Sequence, residues 1–284
     1  MMKMFPLLAS LAFIGFGAAA NANTTDALGL LILQDGSDGT KDASTLPKKA
    51  DTPSNLYLKA DVGLNLLEDT SLRETGFAEN PRLRFQAGID ANIGLGINMI
   101  ESKKATHVER LSMEFTVGVL WNDIDTISSN TENLTPQNPI FGPGWYSITG
   151  GEGRMLQIPL NVDFVWTVYE TERISVALNI GLGVQWTDLD LKNTSITQYS
   201  GNGGAAIQTT NFSASGSSVG FHYQGGFDVL FEITTGVQLG GYFRYAGTPA
   251  SSMGTITGPA IPFGELKINE LSNFSVGGRL TFAF

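Results

Sequence analysis

The sequence predicts an all-β fold, an eight-stranded antiparallel up-and-down transmembrane β-barrel with both termini periplasmic and long extracellular loops. Three observations predict it. Eight segments alternate apolar and polar residues, as a strand with two unlike faces must. The connections between them alternate long and short. The composition is that of a barrel: glycine is 34 of 284 residues, about 12% against roughly 7% in average proteins. Charged residues are 15%, against roughly 25% in soluble domains.

Composition also excludes functions. A net charge of −10 and a pI near 4.6 argue against any nucleic-acid partner. The chain has no cysteine, which removes disulfides, thiolate zinc sites and cysteine nucleophiles. Two histidines leave little material for an imidazole metal site. Beyond the first twenty-odd positions no apolar run is long enough for a helical membrane span.

Residues 1–22 read as a secretory signal peptide. Lys3 supplies the positive end, Phe5 to Phe16 the apolar stretch, and Ala18-Ala19-Ala20-Asn21-Ala22 the small residues for cleavage after Ala20 or Ala22. Lys3 is the only charge removed, so −10 becomes −11. Residues 23–54 read as a periplasmic N-terminal segment and linker. They hold a short apolar run, Leu28 to Leu33, and then a polar stretch with Pro47 and Pro53. The barrel is expected over 55–284.

The first apolar row is Leu56, Leu58, Ala60, Val62, Leu64 and Leu66. The second is the longest, from Leu83, Phe85 and Ala87 through Ile89 and Ile93 to Met99. Leu111 to Trp121 carry the third, Leu156 to Val168 the fourth, Ile174 to Trp186 the fifth. Val219 to Ile233, Val237 to Tyr245 and Phe274 to Phe284 carry the last three. Each run has about ten or more residues, enough for a tilted strand to cross a bilayer. Pro159 cannot donate to a ladder, so a bulge is expected near it. Long loops are expected after the odd rows, including Asn122 to Met155, Thr187 to Ser218 and Ala246 to Asn273. Short turns follow the even rows, which puts both termini at the periplasmic end.

Which face meets lipid is decided by the polar rows. They are rich in glycine, and their charges balance: Lys59, Arg82, Arg84, Arg110, Arg244 and Arg279 against Asp61, Asp90, Glu114, Asp163, Asp228 and Glu232. An enclosed polar core needs such matching, whereas a solvated face does not. The polar rows are therefore expected inside, with Lys59, Asp61, Asp90, Arg110, Glu114, Asp163, Asp228, Glu232 and Arg279 as an ion-pair network that plugs the lumen. Arg82, Arg84 and Arg244 are expected as a basic outer vestibule attracting small anions or lipopolysaccharide phosphates. The alternative for them is pairing with the acidic first connection around Asp69.

Aromatic residues cluster at both strand ends, as interfacial girdles do: Trp121, Trp186, Phe221 and Tyr245 at one, Trp166, Phe231, Phe282 and Phe284 at the other. The leader, the eight rows, the loop alternation and the terminal Gly278-Arg279-Leu280-Thr281-Phe282-Ala283-Phe284 resemble the small OmpA/OmpX-type outer-membrane barrels. The resemblance covers about Asn55 to Phe284. It implies that Leu280, Phe282 and Phe284 form the signal read by the barrel-assembly machinery.

Chemistry-bearing motifs are absent. No serine lies two residues beyond His222, and His107 falls in a short turn. No phosphate loop, nucleotide fingerprint, cofactor motif or metal motif is found. The expected function is a non-enzymatic outer-membrane barrel with a structural or surface-interaction role. The alternative is a narrow pore for passive transport of small solutes. Expected partners are outer-membrane lipid and lipopolysaccharide, the assembly machinery during biogenesis, and an extracellular ligand at the loops. The barrel is expected as a monomer in the cell outer membrane after signal-peptide-dependent export.

Overall fold

The computed structural model describes residues 55–74, 81–104, 107–129, 132–134, 144–258 and 261–284. The expected leader (1–22) and linker (23–54, but for none of the barrel) lie outside them. The strands in chain order are β1 (Leu56–Leu67), β2 (Thr70–Glu74), β3 (Arg82–Phe85), β4 (Gly88–Lys103), β5 (Val108–Ser128), β6 (Glu132–Leu134) and β7 (Gly144–Glu170). They continue with β8 (Ile174–Tyr199), β9 (Ala206–Thr234), β10 (Val237–Thr248), β11 (Ser251–Gly258), β12 (Ile261–Ile268) and β13 (Leu271–Ala283). Among the described residues no helix is long and apolar enough to cross a membrane, a statement that leaves strands aside.

Eight strands close into a ring through antiparallel ladders: β1, β4, β5, β7, β8, β9, β10, β13 and back to β1. The closing ladder pairs Tyr57 with Ala283 and Leu66 with Phe274. Closure leaves no edge in the ring, so every backbone donor and acceptor in its middle finds a partner within the protein. Tight turns join the ring at the end holding Asn55 and Phe284; there Thr171 N donates to Ile174 O at 2.8 Å and Lys104 N to His107 O at 2.8 Å. This end is termed lower.

In the lower section the alternation reads apolar outward, polar inward. Val62, Ile180 and Val219 are 65%, 67% and 69% exposed on the outer face. On the same strands and in the opposite phase, Asp61, Gln185 and His222 are buried in the lumen.

In the upper section the polarity reverses. Leu67, Leu72, Leu83, Ile124, Ile127, Met155, Leu189, Leu191, Met253, Ile268 and Leu271 point inward and pack into one apolar core. Each fully buried side chain of this kind contributes about 1.5–3 kcal/mol. A strand has period two, so residues change face only where the count shifts by one. Four strands do this with two-residue breaks at one level: 68–69 between β1 and β2, 86–87 between β3 and β4, 249–250 between β10 and β11, 269–270 between β12 and β13. On β5 and β8 the backbone runs on through the boundary and the sequence changes first; β5 then slips register against β3 at Asp125, which brings Ile127 inward after Ile124. Trp121 and Trp186 lie on the outer face, while Ile124 and Leu189, three residues later, are buried inside. Higher up, β8 shifts register between Leu191 and Thr194, where Asn193 takes a positive φ of 53°.

Three expectations are corrected. The spans expected as long loops are largely strand: β7 already begins at Gly144, β8 runs to Tyr199, β9 begins at Ala206, and β11 and β12 fill most of the last one. Leu83 and Phe85 do not continue the outward row of Ile89. The break at Gln86-Ala87 inverts the phase, turning Leu83 inward and exposing Arg82 and Arg84. The bulge expected at Pro159 is not found on the β8 side, where Pro159 pairs in register with Gln185; the irregularity of that ladder lies between Thr167 and Tyr169.

The upper section is also ringed, by β2, β3, β5, β7, β8, β9, β11 and β12, but with one seam. Among the described residues no ladder joins β9 to β11. They touch through side chains, Ser218 Oγ lying 3.0 Å from Ser251 Oγ and donating to Met253 Sδ at 3.1 Å.

Leu189→Ala empties part of the upper core and is expected to lower stability by about 2–5 kcal/mol. Leu182→Ala, on the outer face of the same strand, is expected to cost less. Urea unfolding of both variants in lipid vesicles checks the ranking.

Candidate functional site

Among the described residues, the lumen of the lower section is where charged side chains from several strands converge out of solvent. Its ionic belt is built around Asp61 on β1. Arg279 of β13, its ladder partner, grips it with two bonds, Nε to Oδ1 at 2.7 Å and Nη2 to Oδ2 at 2.9 Å. Arg244 of β10 reaches the same carboxylate at 2.7 Å and Asp90 of β4 at 3.4 Å. Arg279 also pairs with Asp228 of β9. The chain Asp90–Arg244–Asp61–Arg279–Asp228 thus spans the bore. Tyr242 sits beneath both guanidinium groups, its ring centre 5.0 Å from Arg244 and 5.6 Å from Arg279, and donates its hydroxyl to Asp90 at 3.1 Å. A second cluster joins Lys59 to Glu114, which also accepts from Tyr57 at 2.7 Å. Asp163 faces Glu114 across the β5–β7 ladder; Thr116 Oγ1 donates to it at 2.8 Å, and Gln224 Nε2 donates as well.

Above the belt lies a layer of amides. Asn65 Nδ2 donates to Asn122 Oδ1 at 2.6 Å and Asn273 Oδ1 at 3.0 Å. Asn273 Nδ2 donates to Gln157 Oε1 at 3.0 Å, and Gln185 Nε2 donates to the same oxygen at 2.8 Å. Ser275 Oγ donates to Asn65 Oδ1 at 3.2 Å. All five amide side chains are fully or almost fully buried. The apolar core follows above. From bottom to top the lumen therefore holds an ionic belt, an amide layer and a dry plug. The amide layer satisfies groups that would otherwise stand unpaired between charge and hydrocarbon.

The sequence-expected residues are placed as follows. Lys59, Asp61, Asp90, Glu114, Asp163, Asp228 and Arg279 are all buried in the lumen. Arg110 stands apart at the lower rim with Glu170 at 2.9 Å and Glu101 at 3.5 Å. Glu232 is half-buried near the same end. The three arginines expected as a vestibule are not together. Arg244 belongs to the ionic belt. Arg82 and Arg84 lie on the outer surface of the upper section, and Arg84 Nε reaches Asp69 at 3.5 Å. The physical cause is the phase inversion at Gln86-Ala87. It also undoes the six-against-six balance: the buried belt has three cations, Lys59, Arg244 and Arg279, against five carboxylates, Asp61, Asp90, Glu114, Asp163 and Asp228. The amide layer was missed by sequence reasoning, although Asn65, Asn122, Gln157, Gln185 and Asn273 all occupy inward phases at one height. On the lowest strand ends, Leu280 pairs with Ala60, Phe282 pairs with Leu58, and Phe284 is exposed. Among the described residues no group of three His, Asp or Glu side chains could hold a metal.

Arg279→Leu leaves Asp61 without its bidentate partner and Asp228 unpaired, and is expected to destabilise the barrel by about 3–5 kcal/mol. Arg84→Gln removes a solvent-exposed pair and is expected to cost under about 1 kcal/mol. Urea denaturation of refolded variants compares the two.

No family model matches the chain, and no curated protein matches it. Solved structures do show similarity. Neisserial surface protein A is 10% identical, with 82% of this chain and all of that chain covered and a TM-score of 0.39. The outer membrane protease OmpT from Escherichia coli is 9% identical, with 86% and 100% covered and a TM-score of 0.45. The outer membrane protein OprG from Pseudomonas aeruginosa is 11% identical, with 82% and 98% covered and a TM-score of 0.36.

Proposed function

We propose that this chain is an integral outer-membrane barrel that does not conduct and serves a structural or surface-interaction role. The observation that carries the reading is the stacking of three filled layers in the lumen. A solute would have to part the Asp61–Arg279 and Asp61–Arg244 pairs, then the amide layer, then the apolar core. The outward apolar band supports placement in a bilayer, since so much exposed hydrocarbon on a closed ring suits lipid and not water. In that placement the lower end faces the periplasm, and the upper section stands outside as a soluble-type barrel, apolar within and polar without. Its outer surface is the platform for an extracellular ligand. Arg82 and Arg84 stand on that surface where lipopolysaccharide phosphates can meet them. Leu280, Phe282 and Phe284 serve as the assembly signal, and the ring closes within one chain, so a monomer suffices.

Two experiments test this. The refolded protein in planar bilayers is expected to show no steady conductance; steady small-ion currents would favour a narrow pore instead. Deleting Phe284 is expected to reduce outer-membrane insertion in cells far more than refolding in detergent, read as heat-modifiable gel mobility. Equal losses in both settings would remove the assembly role.

A further inference from the structure

The lumen wall formed by β7, β8 and β9 presents polar atoms that the filled layers leave unused. Three rows of the ladders meet there. Asn161, Gly183 and His222 are aligned across the three strands. Pro159, Gln185 and Gly220 form the row above; Asp163, Gly181 and Gln224 form the row below. Asn161, Gln185 and His222 are 6%, 0% and 0% exposed. Each presents a buried polar atom with no hydrogen-bond partner: Asn161 Oδ1, Gln185 Oε1 and His222 Nε2.

The other polar atoms of Gln185 and His222 are engaged. Gln185 Nε2 is held by Gln157 and by Thr187 Oγ1 at 3.0 Å, so its oxygen is the free end. His222 Nδ1 lies 3.3 Å from Thr248 Oγ1, towards β10, which leaves Nε2 on the other side of the ring. Asn161 Oδ1 leans over Gly183, where any Cβ would collide with it. Gln224, two residues along β9, gives its amide nitrogen to Asp163. The wall therefore offers Gln185 Oε1 as an acceptor, with Asn161 Oδ1 beside it and, when His222 carries its proton on Nδ1, His222 Nε2 as a third. Room exists beside it: around the position of a Cβ on Gly220 only Thr248 Cγ2 comes within 4 Å, at 3.2 Å.

Charge points the same way. Counted with every group ionised, the buried belt holds three cations against five carboxylates, a formal excess of two negative charges. Asp163, directly below this wall, receives donors only from neutral groups, Thr116 and Gln224. Orphaned acceptors next to an uncompensated buried carboxylate call for a positive guest, because each unmet group of this kind is costly in a low-dielectric interior. The absence of a second imidazole or a carboxylate cluster among the described residues speaks against a transition metal.

We propose that this wall binds one small monovalent cation, with Asn161 Oδ1, Gln185 Oε1 and His222 Nε2 as its ligands and Asp163 as its counter-charge. Oxygen and imidazole acceptors suit an alkali ion by coordination and an ammonium ion by accepting its N–H groups. The site closes the charge account of the lumen without opening it, and it holds whether or not the barrel conducts.

The full chain, folded in detergent with N-methylglucammonium chloride as the base salt, is titrated with sodium, potassium or ammonium chloride at constant ionic strength. At least one of the three is expected to raise the unfolding temperature saturably by a few degrees, since a ligand that binds only the folded state stabilises it. The same titration is expected to move the imidazole ¹⁵N resonances of His222, identified by their loss in His222→Phe. Asp163→Asn and Asn161→Ala are each expected to shift the titration midpoint at least tenfold upward; Arg154→Gln, on the outer face, should leave it unchanged. If no monovalent ion changes the unfolding temperature, the wall holds water only and the site is lost. A thermal response without movement of the His222 signals, or one that survives both Asp163→Asn and Asn161→Ala, places the ion elsewhere and equally overturns the proposal.

Discussion

A strand has two faces, and no side chain can be moved from one to the other without changing the residue count by one. Everything distinctive about this barrel follows from that constraint. Below, the outer face is apolar and the lumen polar; above, the core is apolar and the surface polar. The ladders must remain intact through the change, because broken backbone pairing at the boundary would leave unmet donors and acceptors. On β5 and β8 the ladder is kept and the sequence changes phase, in the matching segments Trp121-Asn122-Asp123-Ile124-Asp125 and Trp186-Thr187-Asp188-Leu189-Asp190. On four other strands the sequence keeps its rhythm and a two-residue break changes the phase for it. The tryptophans sit at the last outward position before the switch, where an amphipathic ring is best placed.

The lumen shows how charge is kept inside such a section. Asp61 accepts from two arginines at once, and each arginine reaches a second carboxylate. Isolated charges at this depth would be prohibitive, and even a paired group gives little net stability against a well-packed apolar alternative. What sharing provides is geometry. One guanidinium bridging β13, β1 and β9 fixes the relative height of three strands that are remote in sequence. Tyr242 holds both arginines over one ring, so the belt is set as a unit rather than pair by pair.

The eight rows of the lower section were legible in the sequence because an apolar outer face and a polar lumen impose opposite demands on alternate residues over ten positions. Seven of the expected lumen charges, from Lys59 to Arg279, follow from that phase alone. The upper strands were hidden for the same reason in reverse. Their apolar residues stand in the opposite phase, beyond a break on four strands and by a change of sequence on β8, so Leu189, Leu191 and Ile196 do not extend any outward stripe. Arg82 and Arg84 misled because Leu83 and Phe85 happen to keep step with Ile89 across Gln86-Ala87. A leucine between two arginines was the available signal that this short strand faces the other way. Who pairs with whom was beyond reach: Asp61 and Arg279 are 218 residues apart and meet only because the ring closes.

The four interrupted strands are neighbours in the ring, and so are the four continuous ones, β5, β7, β8 and β9. The molecule consequently has a spine and a jointed side. Along the spine, unbroken backbones of 21 to 29 residues run from the lowest turn to the top and carry bending load straight through the boundary. On the jointed side the same load meets two-residue knuckles at a common height, and beside them the unladdered seam between β9 and β11. A sideways pull on the upper section is therefore resisted unequally according to its direction, and the compliant direction is written into the order of the strands.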